Sequence, residues 1–436
     1  MKAGLRSLLV LLPVLLLVAC ETTKPPLPGE RLSVLRLDKQ LEPDPEIAAL
    51  EVRLPRPVVN TDWPEAGGYP NHVMQHVALG DDIETSWRTS IGDGSSRYGR
   101  ILAPPIAVGD RVYAMDADST VSAYERRTGK QVWETSVKPE DAGPAFGGGV
   151  AYAEDRIFAT TGYGQIIALD ANSGKEVWRK DVVAPLRSAP TVADGRVFAI
   201  TVDNQLEVLA TSDGRTLWTH SGTPETAGLL GGASPAVEGD VVVAAYSSGE
   251  LFALRVENGR QLWTDNLAAA RRTDALSALA DIRGRPVIDR GRVYAVSHSG
   301  RMVAIDLRTG ERVWEQDIGG TEAPWVAGDF IFVISNDSEL ICLTRRDGRV
   351  RWVQELPRYE DLKKKKGSLN WSGPILGGDR LIVVASNGEA MSFSPYTGAA
   401  LGRVTLPDGT FLTPIIANET LYVLTDDADL IAMRSP

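Results

Sequence analysis

One short phrase recurs through the chain at nearly even spacing, and it constrains the fold more than any other feature. It reads Thr128-Gly129-Lys130-Gln131-Val132-Trp133, then Ser173-Gly174-Lys175-Glu176-Val177-Trp178, and returns before Trp218, Trp263, Trp314 and Trp352. A degenerate copy, Thr397-Gly398-Ala399-Ala400-Leu401-Gly402, ends in Gly where the others end in Trp, and Trp87 stands upstream in the same phase. Seven intervals separate Trp87 from Gly402, a mean of 45 residues. A period of that length, with no helical pattern inside it, points to the blades of a β-propeller rather than to a helical solenoid.

Each unit carries the same pieces. In the third, Pro190 and Val192 mark a short strand, Asp194-Gly195 a turn, residues 196–201 and 206–210 two further strands, and Trp218 sits on a fourth. Apolar residues alternate with others in these runs, the period of a strand. The Gly of each signature follows Thr, Ser, Asp or Asn, so the turn between third and fourth strands is expected to need a positive φ. The Trp is expected to fill the wide periphery between diverging blades and to donate its indole N–H to a neighbouring carbonyl. After Gly402 there are three more strand-like runs and no fourth, whereas residues 83–91 around Trp87 have the phase of an outer strand without strands before them. Joining the two fragments predicts an all-β, eight-bladed propeller of four-stranded antiparallel blades over residues 82–436, closed by the amino-terminal strand pairing with the carboxy-terminal ones. No open edge remains in such a ring.

Upstream lies a segment of different character. Lys2 and Arg6 precede an apolar run over residues 8–19 that is too short to span a bilayer and has the layout of a secretory signal. It ends Leu17-Val18-Ala19-Cys20-Glu21, which resembles the bacterial lipobox, so residues 1–19 are expected to be removed and Cys20 to carry a covalent lipid. Residues 20–81 are rich in Pro and charge. They read as a solvated tether or amino-terminal extension, with a short amphipathic stretch over residues 47–54 that could dock on the ring. The only other cysteine, Cys342, sits in an apolar run and reads as a small buried hydrophobe. The formal charge is −11, which argues against nucleic acid as a partner.

The string Ala168-Leu169-Asp170 before Ser173-Gly174-Lys175, and Ala304-Ile305-Asp306 before Thr309-Gly310, resembles the repeat of the pyrroloquinoline-quinone-type propeller family. That family includes quinoprotein dehydrogenases and non-enzymatic outer-membrane lipoproteins of β-barrel assembly. With the Cys20 lipobox and a single ring, the chain is similar to the second group. The resemblance implies a scaffold, anchored by lipid to the periplasmic side of the outer membrane, that binds a BamA-like barrel-inserting subunit and helps present unfolded barrel precursors, without cofactor or metal. It further implies partner contacts at Leu186 and Arg187, from the match Leu186-Arg187-Ser188-Ala189-Pro190, and at Asp281. In that second segment Arg283 stands where the family has another acidic residue. An exposed Leu beside an always-charged, forked Arg would be an apt interface anchor.

The competing reading is a quinone-dependent dehydrogenase of the same fold. Such enzymes carry a calcium site, a catalytic Asp and usually adjacent cysteines, and this chain has no cysteine pair. Asp116, Asp118, Asp426 and Asp427 read as turn formers. His72 and His76 have i, i+4 spacing but no third ligand nearby, and the lysine run 363–366 reads as a solvated patch.

Overall fold

In the computed structural model, which describes residues 41–268 and 279–436, every strand of the repeat forms where its alternation places it. Blade 1 consists of Ile106–Val108, Arg111–Met115, Thr120–Glu125 and Gln131–Ser136, ordered from the centre outward and all antiparallel. Six further blades repeat this order, with inner strands Gly148–Ala153, Thr191–Ala193, Ala236–Glu238, Val287–Asp289, Trp325–Ala327 and Trp371–Gly377. Blade 8 combines Ile415–Ala417, Thr420–Leu424 and Asp429–Arg434 with Glu84–Ser90, whose Trp87 lies opposite Ala432. Eight blades and the closure by the strand bearing Trp87 therefore stand as the sequence predicts.

Burial explains why the signature turns on its Trp. The middle strands are covered on both faces by neighbouring blades, so Arg196–Ile200 and Gln205–Ala210 are buried almost throughout. On the outer strands Gln131–Ser136 and Glu176–Asp181 the Trp alone is buried. Seven indoles, from Trp87 to Trp352, each donate Nε1–H to a carbonyl of the following blade at 2.7–3.1 Å. The signature Gly of that next blade has φ between 70° and 77°. A Cβ there would come within 2.5–2.8 Å of the preceding blade's Trp side chain, as at Gly129 over Trp87 and Gly398 over Trp352. Gly and Trp of one phrase thus serve two different seams, and the repeat is a chain of blade-to-blade fasteners.

The segment 42–81 departs from the solvated tether that its composition predicts. Asp44 pairs with Arg349 at 2.7 Å, Arg351 donates to the carbonyl of Leu50 at 2.6 Å, and Val52 is buried, so the 47–54 stretch docks on blade 6. Residues 58–78 then cross the centre of the ring and take at least one backbone N–H from every blade. Ala107, Tyr152, Val237, Ile288, Gly378 and Asn418 donate to the carbonyls of Trp63, Pro64, Pro70, Asn71, Val77 and Asn60. Val192 and Gly328 donate to the side chains of Glu65 and Gln75. The inner strand of each blade is a sheet edge whose outward N–H needs a partner, and a polar, proline-rich strap supplies an acceptor to every blade without itself needing a strand's alternation. Proline, which marked this stretch as tether, is no obstacle to an acceptor.

Candidate functional site

The crossovers that carry the chain into the inner strands of blades 3, 4 and 5 meet at one cavity beside blades 3 and 4. Its volume is about 200 Å³, and its lining includes Arg187, Asn204, Leu229, Gly232 and Asp281. Arg187 and Asp281, assigned to one partner contact from separate segments of the sequence, are therefore brought together by the fold. Leu186 is not exposed as the sequence reading expects. It is fully buried against Phe158, Trp178 and Val197, with its backbone bridged to Thr201 and its N–H donated to the carbonyl of Thr161 at 3.1 Å. Blade packing claims this apolar side chain, and the partly exposed apolar residues in the cavity are Val202 and Leu229 instead.

Arg187 is half-buried, and its Nε has no hydrogen-bond partner among the described residues. Asp281 is nearly buried and accepts the Leu229 N–H at 2.7 Å, while its own carbonyl accepts the His298 N–H at 2.9 Å. Burial pushes its carboxyl above the usual range; that backbone bond and the charges of Arg283 and His298 act in the other direction. Asp281 thus holds the crossover into blade 4 in place as well as lining the cavity. Asn204, at φ 63°, binds the opposite wall through Ser247 Oγ at 2.9 Å and the carbonyl of Thr223 at 2.6 Å. The sequence reading passed over Asn204; an Asn closing a polar turn was the available signal.

Arg283, the departure from the acidic pattern, is not part of this cavity's lining. It pairs with Glu322 at 3.1 Å, and the second oxygen of Glu322 accepts from Thr413 at 2.9 Å. On the strap, His72 and His76 are both buried and bond backbone carbonyls: His72 through Nδ1 to Pro286 at 2.8 Å, His76 to Pro55 and Gly378. Burial drives His72 down to about 3, and it pushes Glu65 up to about 8. A Cβ on Gly67 would meet the His72 ring at 2.2 Å, so Gly67 is required by close approach.

The remaining candidates separate cleanly. The seven signature Trp are seam residues, none of them lining the crossover cavity. Cys342 is fully buried, which raises its thiol far above the usual range. The lysine run 363–366 forms the tip of a hairpin, Tyr359–Asp361 with Lys366–Ser368, in the crossover into blade 7 and is exposed. Asp116 is a turn former, taking the N–H groups of Asp93, Asp118 and Thr120. Among the described residues no three or more of His, Cys, Asp and Glu cluster as metal ligands. Cys20 lies outside the described residues.

Residues 117–354 match the family model described as outer membrane protein assembly factor BamB. The assembly factor BamB of Yersinia pestis is 26% identical over 344 residues, covering 77% of this chain and 85% of that protein. That of Burkholderia pseudomallei is 26% identical over 358 residues, covering 81% and 88%. Among solved structures, BamB from Moraxella catarrhalis superposes with a TM-score of 0.67 at 20% identity, over 80% of this chain and all of the other. A europium-containing methanol dehydrogenase superposes with a TM-score of 0.69 at 14% identity, over 86% and 98%. At such identities both structures speak for the propeller fold alone.

Proposed function

Since the chain belongs to the family of the outer membrane protein assembly factor BamB, we propose that it works as a rigid ring holding a BamA-like barrel-inserting subunit through the crossover cavity. It is a non-catalytic assembly factor of the outer membrane, and the dehydrogenase reading falls with that membership. The observation that carries the partner reading is the convergence of Arg187 and Asp281 on one cavity from crossovers 94 residues apart in sequence.

The roles at that site follow from burial. Arg187 is half-buried and carries a forked, always-charged donor set, so a carboxylate or a row of backbone carbonyls on the partner would match its guanidinium. Leu229 supplies the apolar contact that was expected from Leu186. Asp281 and Asn204 hold the walls, and Leu186 fixes the crossover so that Arg187 projects from a rigid base. Anchorage to outer-membrane lipid is assigned to the acylated Cys20, with the ring on the periplasmic side, and unfolded barrel precursors are the third partner.

Affinity purification of the full lipidated chain tests this reading. Wild type should recover the large barrel subunit. Arg187→Ala should recover less while keeping its thermal transition, and Cys20→Ala should give a folded protein that leaves the membrane fraction. Undiminished recovery with Arg187→Ala would remove Arg187 from the interface. Failure of the wild type to recover the subunit would overturn the scaffold reading itself.

A further inference from the structure

Seven of the eight seams are filled by an indole, and the eighth is open. Between blades 7 and 8 the signature position is Gly402, which faces Ser392 just before a bulge, the register in which Trp352 faces Cys342 one blade earlier. Blade 8 takes its outer strand from Glu84–Ser90, so it has no turn from third to fourth strand. It therefore lacks the signature Gly on which an indole would rest. Instead of a buried Trp the seam holds a cavity of about 620 Å³. Its walls are apolar, with Ile382, Val384 and Met391 from blade 7 and Leu421, Val423 and Met433 from blade 8.

Its lips are exposed. Every residue of the outer strand Ala400–Thr405 is exposed, and Leu401 and Val404 show 54% of their surface each; the place of Val404 is held in other blades by a polar residue such as Thr135, Lys180 or Gln316. The lining also includes the charged residues Asp81, Asp82, Glu84, Arg380 and Arg403, with Arg380 donating to the carbonyls of Gly80 and Asp81. An apolar pocket of this size with a polar rim is the setting in which one aromatic anchor dominates binding.

We infer that this seam receives an aromatic side chain carried on an extended segment of a barrel precursor. The repeat itself identifies the chemistry, because the same space is occupied by an indole at every other seam. The inference rests on the assembly role proposed above, and it narrows the precursor contact to one feature. Strands destined for a membrane barrel carry aromatic girdles and alternate apolar with polar residues, so a bound strand would place an aromatic ring in the seam and its polar neighbours at the charged rim.

The probe is an acetylated decapeptide alternating Thr and Ser with one central Trp, compared with the same peptide bearing Ala, titrated into the full chain in detergent by fluorescence anisotropy. The Trp peptide should bind at least tenfold more tightly than the Ala peptide, and Gly402→Trp should weaken it at least tenfold. A Cβ at position 402 meets only Ser392 Oγ, at 3.6 Å, so the added indole has room to enter the cavity. Leu401→Asp with Val404→Asp, at exposed positions, should give the same loss and serves if Gly402→Trp does not fold. Equal binding of the two peptides, or unchanged binding in a folded variant, overturns the inference. Recovery of the barrel subunit in the purification above is independent: if it persists while the peptides fail, the scaffold stands and the seam does not. If it fails while the Trp peptide binds, the seam stands as an aromatic-peptide site outside that role.

Discussion

Replacing Glu65 by Gln should make the protein more stable at neutral pH and leave it nearly unchanged near pH 4.5. Glu65 is 2% exposed on the strap, where one carboxyl oxygen accepts the Val192 N–H at 2.8 Å and the other is buried with no partner. Burial raises its pKa from 4.5 to about 8, against the opposing effect of the Val192 bond. A raised carboxyl pKa leaves the folded state unpenalised below pH 4.5 and costs stability as pH climbs through 8, because the unfolded chain releases a proton that the folded one keeps. At about 1.4 kcal/mol per pH unit within that window, the wild type should lose about 2.5 kcal/mol between pH 5 and pH 7. Gln keeps the acceptor for Val192 and carries no proton to lose. His72 has the opposite sign, since its pKa near 3 costs stability as pH falls below 6.5, but it is present in both proteins and cancels in their difference. Denaturant midpoints of the two proteins at pH 5, 6 and 7 measure the gap directly. A gap that stays constant over that range would refute burial of Glu65, and with it the seating of the strap in the ring.

Trp178→Ala should cost about 3–5 kcal/mol, through lost indole burial and the lost bond to the Thr211 carbonyl. Gly214→Ala attacks the same seam from the facing blade, where the new Cβ would lie 2.6 Å from that indole. In denaturant titrations the double variant should therefore cost less than the sum of the singles, and additive costs would separate the two halves of the fastener. Leu186→Asp should destabilise by at least about 3 kcal/mol, since it places an unpaired charge in a fully buried site. A thermal transition unchanged in that variant would return Leu186 to the surface and restore it as a direct anchor.

The blade count, the strand positions and the identity of the closing strand were legible in the sequence because each follows from local periodicity. Alternation marks a strand, Gly marks the turn with positive φ, and the phase of Trp87 against the three carboxy-terminal runs leaves one way to complete a blade. Family likeness was legible for the same reason. Tertiary structure decided whatever depends on residues far apart in sequence. The strap has no periodicity to read, since its role is to present acceptors, and those meet N–H groups as distant as Asn418 from Asn60. Leu186 looks like any loop leucine until blade packing buries it. The open seam was visible as a degenerate repeat ending in Gly402, but its meaning was not. Only closure of the ring reveals that the missing Trp faces a blade without the turn that would receive it, because that blade is assembled from both ends of the propeller.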